Sequence, residues 1–436
     1  MKILYLSYYY PPNNEIASLR SMYQVKYLRQ LGADVSVVCF DSNTSENIYL
    51  DRTENDHYVL TTPTLSSLKE KFISKSTKSE TKNKDACEKI KDNNISKNIK
   101  SFLRKTISTA LVETIAEIYR LLHHTIFLVK AFLKSLKLCE SFRYDYVYAS
   151  YGPESTIITG FFISKLFNIK LVTEFRDRWY NNPYRIREKS LYYRSIVRYL
   201  EKEIVNSSAI VIGVSPSMVE ELNSDYPKQR VELIYNGYDK PLKISEDQIS
   251  FTMPTADLTV AYTGSLYAEF RDPRPLFEAL QKIDWDIKFV YCGKSYDFIH
   301  ELAENYNVAS KVINLGFQSN EVSRLVQTGC DTLLLVGWND PRDRGVLTGK
   351  IFEYLDAKKP VLFIGYPHGD VDSLLKQTNS GETCLSAEEV VNFLNQLKGA
   401  STQKYNFVNT REYSRINQSE NLYKILKQTH EGEPTG

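Results

Sequence analysis

Short apolar runs alternate with helix-patterned stretches along almost all of this 436-residue chain, in two successive series. The first series has runs at Lys2-Ile-Leu-Tyr-Leu-Ser7 and at residues 34–40, 145–150, 170–175, 209–214 and 231–235. The second has them at 258–263, 287–292, 311–315, 331–336 and 360–364. Runs this short fit strands of a sheet covered on both faces. Between them apolar residues step by three or four, as in Leu19, Met22, Tyr27, Leu28 and Leu31, where Gly32 closes the helix. This rhythm builds parallel sheets. It predicts an α/β chain of two Rossmann-like, doubly wound domains that face each other across a cleft. Such folds take ligands at the carboxyl ends of their strands.

The length suits two or three domains. Asn236-Gly237 reads as a turn, and the stretch to about Pro254 as a linker. An N-terminal domain is therefore expected over 1–240, a second over 255–405, and a closing helix over 409–428. The first rhythm is interrupted over about 64–140. Residues 64–105 are rich in Lys, Ser and Asn, with a net charge of about +7. Leu111, Ile115, Ile118, Leu122, Ile126, Val129, Leu133 and Leu136 then step at helical spacing. This amphipathic helix is expected to pack its apolar face on its own domain, with lipid contact as the alternative.

A net charge of +2 gives no nucleic-acid signature. Six scattered cysteines form no Cys-x-x-Cys pair, and the histidines show no metal spacing, so neither a disulfide framework nor a metal is expected. No uncharged run reaches the roughly 18 residues of a spanning helix. The protein is expected in the cytoplasm, in peripheral contact with the inner membrane face at most.

Chemistry concentrates in Gly345-Val-Leu-Thr-Gly-Lys-Ile-Phe-Glu-Tyr-Leu355. A glycine-flanked turn opens a helix, whose N-terminal N–H groups form a ready anion site. Lys350 stands at its start. Glu353, one turn on, is unsuited to an anion and suited to the hydroxyls of a sugar ring. An ordinary capped helix is the alternative.

Several ordered segments carry a resemblance: Tyr9-Tyr-Pro-Pro12 with Ser18 and Arg20, Thr173-Glu-Phe-Arg-Asp-Arg-Trp179, residues 201–215, Ile234-Tyr-Asn-Gly237, Tyr262-Thr-Gly-Ser-Leu266 with Arg271, and the 345–355 segment. In this order the chain resembles the GT-B glycosyltransferases of the family 4 type, except over about 50–140. The resemblance implies a nucleoside diphosphate sugar as donor, bound by the second domain. It implies a saccharide or lipid-linked acceptor on the first domain, and a final helix returning to that domain. Transfer with retention, no metal or other cofactor, and a place in cell-surface polysaccharide synthesis, such as capsule or lipopolysaccharide, are implied as well.

Residue by residue, the resemblance puts Arg271 and Lys350 on the leaving diphosphate, where a fixed cation stabilises growing charge. It puts Gly264, Ser265 and the backbone of Val346, Leu347, Thr348 and Gly349 against the donor, and Glu353 on its ribose. Asn14, Arg20 and Arg176 are expected at the acceptor, with Asp177 positioning or deprotonating its hydroxyl. Arg176–Asp177 or Arg178–Glu174 salt bridges are the structural alternative. The sequence departs from the family at two places. Ser265 stands where a basic residue is common, and Gly345 replaces the first glutamate of the Glu-x7-Glu motif. Asp340 or Asp343 is a substitute for that glutamate. A sugar-nucleotide epimerase on the same fold, or a non-catalytic partner of another transferase, are the competing functions.

Overall fold

The structure, a computed structural model, describes residues 1–11, 16–41, 55–60, 122–182, 191–239, 252–266, 270–399 and 404–432. Asn14, the basic stretch 64–105 and the start of the amphipathic helix therefore lie outside the described residues. The chain divides into two compact units: Met1–Trp179 with Tyr199–Ala209, and Tyr180–Arg198 with Ile210–Gly436.

Two sheets carry the fold. The first contains β1 (Lys2–Ser7), β2 (Asp34–Asp41), β3 (Asp56–Leu60), β4 (Tyr146–Ser150), β5 (Lys170–Phe175), β6 (Ser208–Gly213) and β7 (Val231–Leu233). Its order is β3-β2-β1-β4-β5-β6-β7. The second contains β8 (Leu258–Thr263), β9 (Ile287–Cys292), β10 (Val312–Asn314), β11 (Thr332–Val336), β12 (Val361–Ile364) and β13 (Gly381–Thr383), in the order β10-β9-β8-β11-β12-β13. The pairings are parallel, for example Ile3 beside Val35 and Tyr146, and Leu333 beside Val361 and Ala261. Both sheets are thus the Rossmann-like, doubly wound sheets that the alternation predicts.

In each sheet the chain first winds one way and then reverses. The reversal falls between β1 and β4 in the first sheet and between β8 and β11 in the second. Loops leaving the carboxyl ends of strand pairs at such a reversal part from each other, and doubly wound folds take their ligands there.

The second sheet shows why both faces had to be apolar. Val260, Tyr262, Phe289, Tyr291, Leu334, Val336, Leu362 and Ile364 pack on one face with the helices Arg274–Lys282, Tyr296–Asn305 and Ala387–Gly399. Ala261, Val290, Leu333, Leu335, Val361 and Phe363 pack on the other with Asn320–Gly329, Gly349–Ala357 and Asp370–Thr378. Successive residues of a strand point to opposite faces, so a strand buried on both sides reads as an unbroken apolar run.

Four strands, β1, β5, β8 and β9, coincide with the expected ranges. Two edge strands escape the pattern. Gly381-Glu-Thr383 has no apolar residue, and β3 opens with Asp56 and His57. The closing helix is Arg415–Glu431, after a tight turn at Thr410–Tyr413. Arg415 N–H donates to Tyr238 O (2.7 Å), Tyr235 N–H to Gln418 Oε1 (2.8 Å) and Arg230 Nη1 to Thr429 Oγ1 (2.8 Å), so this helix is fastened to the segment that leaves β7.

The amphipathic helix is described over 122–141 and packs differently from its apolar pattern. His123, Phe127, Ala131, Ser135 and Leu138 are buried, while Leu122, Val129 and Leu133 are exposed. The buried row is one position out of step with the apolar row. Its polar members are satisfied: Tyr8 Oη lies 2.9 Å from His123 Nδ1, and Ser135 Oγ donates to Ala131 O. Tyr8 stacks on Phe40 and meets Phe127 and His123 edge-on, and this aromatic nest fixes the helix.

A buried ion pair anchors the first unit. Glu174, at the end of β5, accepts from Arg20 Nε (3.0 Å) and Nη2 (2.7 Å), Tyr148 Oη (2.8 Å) and Ser150 Oγ (2.6 Å). Burial alone would push this carboxyl up. The Arg20 charge and these bonds outweigh it and hold the carboxyl below its ordinary value. Glu174→Ala should cost about 3–5 kcal/mol in urea unfolding, because it strands a buried guanidinium. A lowered carboxyl stabilises the fold above the unfolded value of about 4.3, and that stability is lost as pH falls through the lower folded value. Glu174→Gln should therefore show a shallower acid limb than the parent; an unchanged limb would contradict this account.

Candidate donor site at the reversal of the second sheet

The carboxyl ends of β8 and β11 flank the reversal, and the residues singled out in the second half of the sequence gather there. β8 ends at Thr263 and the chain turns through Gly264 at φ +130°. An ideal Cβ on Gly264 would collide with Nζ and Cε of Lys350. The lysine lies across the bare glycine backbone, with Nζ 5.1 Å from the centre of the Tyr262 ring. Tyr262 Oη in turn donates to Ser265 O (3.0 Å) and fixes the turn.

Lys350 is thereby largely withdrawn from water. Burial pushes its ammonium down to about 8, the Arg271 charge lowers it further, and Glu353 partly offsets both. Arg271, Lys350 and Glu353 are thus near enough to feel one another, as the sequence reading required. Arg274, three residues on, pairs with Asp272 at the surface.

Lys350 is the second residue of the helix Gly349–Ala357. Thr348 holds the N-cap position with extended backbone (φ −73°, ψ 153°), yet its side chain caps nothing, and its buried Oγ1 has no partner. The first N–H groups of a helix have no acceptor within it. A Cβ on Gly349 would meet nothing within 4 Å, so the space before this turn is open. Val346 differs from its neighbours: its N–H is committed to Asp343 O (3.0 Å). Leu347 turns its side chain into the core. Of the expected run Val346 to Gly349, Val346 thus has its N–H occupied within the loop.

Glu353 is half-buried one turn further on. Its Oε2 accepts from Gln327 Nε2 (2.9 Å). Gln327 was not singled out from the sequence. Its signal was a polar pair, Arg324 and Gln327, among Val322 and Val326 on a helix with a strong apolar face.

The loop between β11 and this helix explains Gly345. A Cβ there would press on Ser217 Cβ (3.3 Å) and Ser215 Oγ (3.4 Å), and Ser215 Oγ donates to Gly345 O (2.7 Å). These serines crowd the first carbon of any side chain at position 345. Asp340 accepts from Arg342 N–H (2.9 Å) and pairs with its guanidinium, which lies 3.9 Å over the Trp338 ring. Asp343 accepts from Trp338 N–H (3.0 Å). Both aspartates thus serve the loop itself.

In the first unit, Arg176 and Asp177 follow β5. Arg176 Nη1 donates to Ala17 O (3.0 Å); burial depresses its guanidinium, which Glu174 favours and Arg20 opposes. Asp177 is exposed. Arg20 is committed to Glu174, and Arg178 reaches Glu201 at 3.4 Å. Glu174 therefore pairs with Arg20 and not with Arg178, the partner that the sequence alternative named. Ser18 and Ser155, near the starts of the helices after β1 and β4, bury hydroxyls that have no partner. Among the described residues no group of His, Cys, Asp and Glu is arranged to hold a metal ion.

The family model described as Glycosyltransferase Family 4 matches residues 100–240. No relative was found among curated protein sequences. The chain is similar in structure to sucrose-phosphate synthase from Thermosynechococcus elongatus, with a TM-score of 0.65 at 13% identity, covering 99% of this chain and 100% of that one. It is similar to Anabaena HepE in complex with UDP and glucose, at TM-score 0.57 and 14% identity over 98% and 100% of the two chains. A UDP-N-acetylglucosamine 2-epimerase shares the fold at TM-score 0.52 and 10% identity, over 100% and 97%. At these identities the likenesses speak to the fold. The chain thus has the two-sheet Rossmann-like α/β fold of the GT-B type, and its residues 100–240 match the Glycosyltransferase Family 4 model.

Proposed function

We propose that this enzyme moves a sugar from a nucleoside diphosphate sugar to a saccharide or lipid-linked acceptor, with retention of configuration and without a metal, in cell-surface polysaccharide synthesis. One observation carries the reading. A desolvated lysine, an arginine and a glutamate meet before an uncapped helix start at the strand reversal. Two cations match a bridging diphosphate. The glutamate one turn on matches the ribose diol. As the bond from the anomeric carbon to the phosphate oxygen breaks, charge grows on the diphosphate, and Lys350 and Arg271 stabilise it. The acceptor oxygen forms the new bond, and its proton goes to a base, for which Asp177 is our candidate. Arg176 and the unpartnered hydroxyls of Ser18 and Ser155 suit an anionic acceptor group on the first unit.

The epimerase alternative shares the fold, while the family match favours transfer. Incubation with UDP, GDP and dTDP sugars should give transfer or slow donor hydrolysis. Absence of both turnover and nucleotide binding would rule the reading out and point to a non-catalytic partner. Glu353→Ala should weaken nucleotide binding by about 1–3 kcal/mol, and Arg271→Ala should chiefly lower kcat.

Lys350 also sets a pH dependence. A dianionic ligand favours the charged ammonium, so binding must draw a proton onto the fraction that is neutral in the free enzyme. With the ammonium at about 8, affinity should fall as pH rises through that value. The terminal phosphate itself ionises near about pH 6 and does not contribute there. Calorimetry at pH 8 to 8.5, in buffers of different ionisation enthalpy, should detect proton uptake that Lys350→Met abolishes. Equal uptake in both proteins would refute the role of the lysine.

The exposed apolar residues of helix 122–141 support our reading that the protein touches the inner membrane face. No helix among the described residues is long and apolar enough to cross a membrane. Leu122, Val129 and Leu133 are nevertheless exposed on a helix that also carries Lys130, Lys134 and Lys137. Phe162 and Leu166 are exposed on the helix Glu154–Phe167. The crossovers β3 to β4 and β4 to β5 run in the same direction, so right-handed connections put both helices on one face of the sheet. An apolar and basic face of this kind suits anionic lipid. Changing Val129 and Leu133 to Ser should reduce sedimentation with vesicles containing phosphatidylglycerol, most clearly at low salt; undiminished binding would remove the assignment.

A further inference from the structure

Glu353 does not hold its own carboxylate in place. Gln327 does so, from the middle of the helix Asn320–Gly329, with only 1% of its surface exposed. Its Nε2 donates to Glu353 Oε2 (2.9 Å) and to Thr263 Oγ1 (2.9 Å). Its Oε1 accepts from Arg324 Nη1 (3.0 Å). Arg324 is held in turn by the Asp356 carboxylate and by Glu353 O (3.1 Å).

This pattern admits one orientation of the amide. Turned over, it would aim its oxygen at a carboxylate and its nitrogen at a guanidinium, and both contacts would be lost. Gln327 is therefore a fixed donor, oriented by Arg324, which is oriented by Asp356. A glutamate on a helix surface ordinarily samples several rotamers. Here Oε2 is pinned, while Oε1 accepts no hydrogen bond among the described residues. The same amide grips Thr263, the last residue of β8, immediately before the Gly264 turn on which Lys350 rests. One side chain thus ties the phosphate side of the site to its sugar side.

We propose that Gln327 is the positioning residue for ribose recognition: it fixes Glu353 so that Oε1 meets the vicinal diol of the donor nucleotide, at a set distance from the phosphate-binding turn. The inference rests on the reading of Glu353 given above. It adds that a residue with no contact to the ligand decides how well the enzyme distinguishes a ribose from a sugar lacking those hydroxyls.

The test compares UDP and GDP with their 2′,3′-dideoxy counterparts by calorimetric titration, using whichever base the parent enzyme binds. The parent should prefer the ribonucleotide by about tenfold or more, the scale of a hydrogen bond to a charged group. Gln327→Met should weaken ribonucleotide binding several-fold and leave the dideoxy compound nearly unchanged, so that the preference collapses. Gln327→Glu keeps the side-chain length and an acceptor for Arg324 but removes the donor to Glu353. It should lose the preference too, and it serves if the methionine variant does not fold. A purely structural role would weaken both nucleotides equally. If the folded Gln327 variants keep the parent's preference while Glu353→Ala loses it, the positioning role is wrong and the ribose reading stands. If Glu353→Ala itself keeps the preference, or the parent binds neither nucleotide, the ribose reading fails and this inference falls with it.

Discussion

A cation lying across a bare backbone is the constraint on which the donor site depends. Lys350 can occupy its place only because Gly264 lacks a Cβ and takes φ +130°, which other residues rarely adopt. Withdrawal from water lowers its ammonium to about 8, and among the described residues no carboxylate forms an ion pair with it. Such a group gains most from an incoming anion, because the ligand supplies what the solvent no longer does. The uncapped start of the same helix works in the same direction. Glu353, at the next turn, keeps the local charge from being uniformly positive.

The two units treat their charges differently. In the first, the prominent charges cancel internally: Arg20 with Glu174 and Arg178 with Glu201, both pairs buried. Such pairs add modest net stability, but losing one partner is severe, so they fix the geometry of strand ends. Arg176 stands apart, with a backbone carbonyl as its nearest acceptor. In the second unit, Arg324 and Asp356 form the comparable pair. They act on the site at one remove, through the amide of Gln327.

Much of the fold was legible because a parallel sheet buried on both faces leaves a simple trace. Every residue of β8 and β11 is buried, and each strand reads as an apolar run bounded by turns. The edge strands β13 and β3 carry polar residues in place of an apolar run, so they were missed. Helix 122–141 shows the limit of periodicity. Its most apolar row faces outward, and the inward row includes a histidine and a serine. The aromatic nest around Tyr8, formed by residues far apart in sequence, set the rotation of the helix.

The sequence by itself determined the alternation of strands and helices, the glycine turns, and the presence of a cation and a glutamate one helical turn apart. These are local facts, written in neighbouring residues and in short periods. Only the tertiary structure decided that Lys350 crosses Gly264, 86 positions earlier by subtraction of the two residue numbers, that Ser215 and Ser217 press on position 345, and that Gln327 grips Glu353. The reason is physical. Burial, desolvation and hydrogen-bond partnership depend on which side chains meet in space, and in this chain those partners are separated by strand crossovers that no local pattern records.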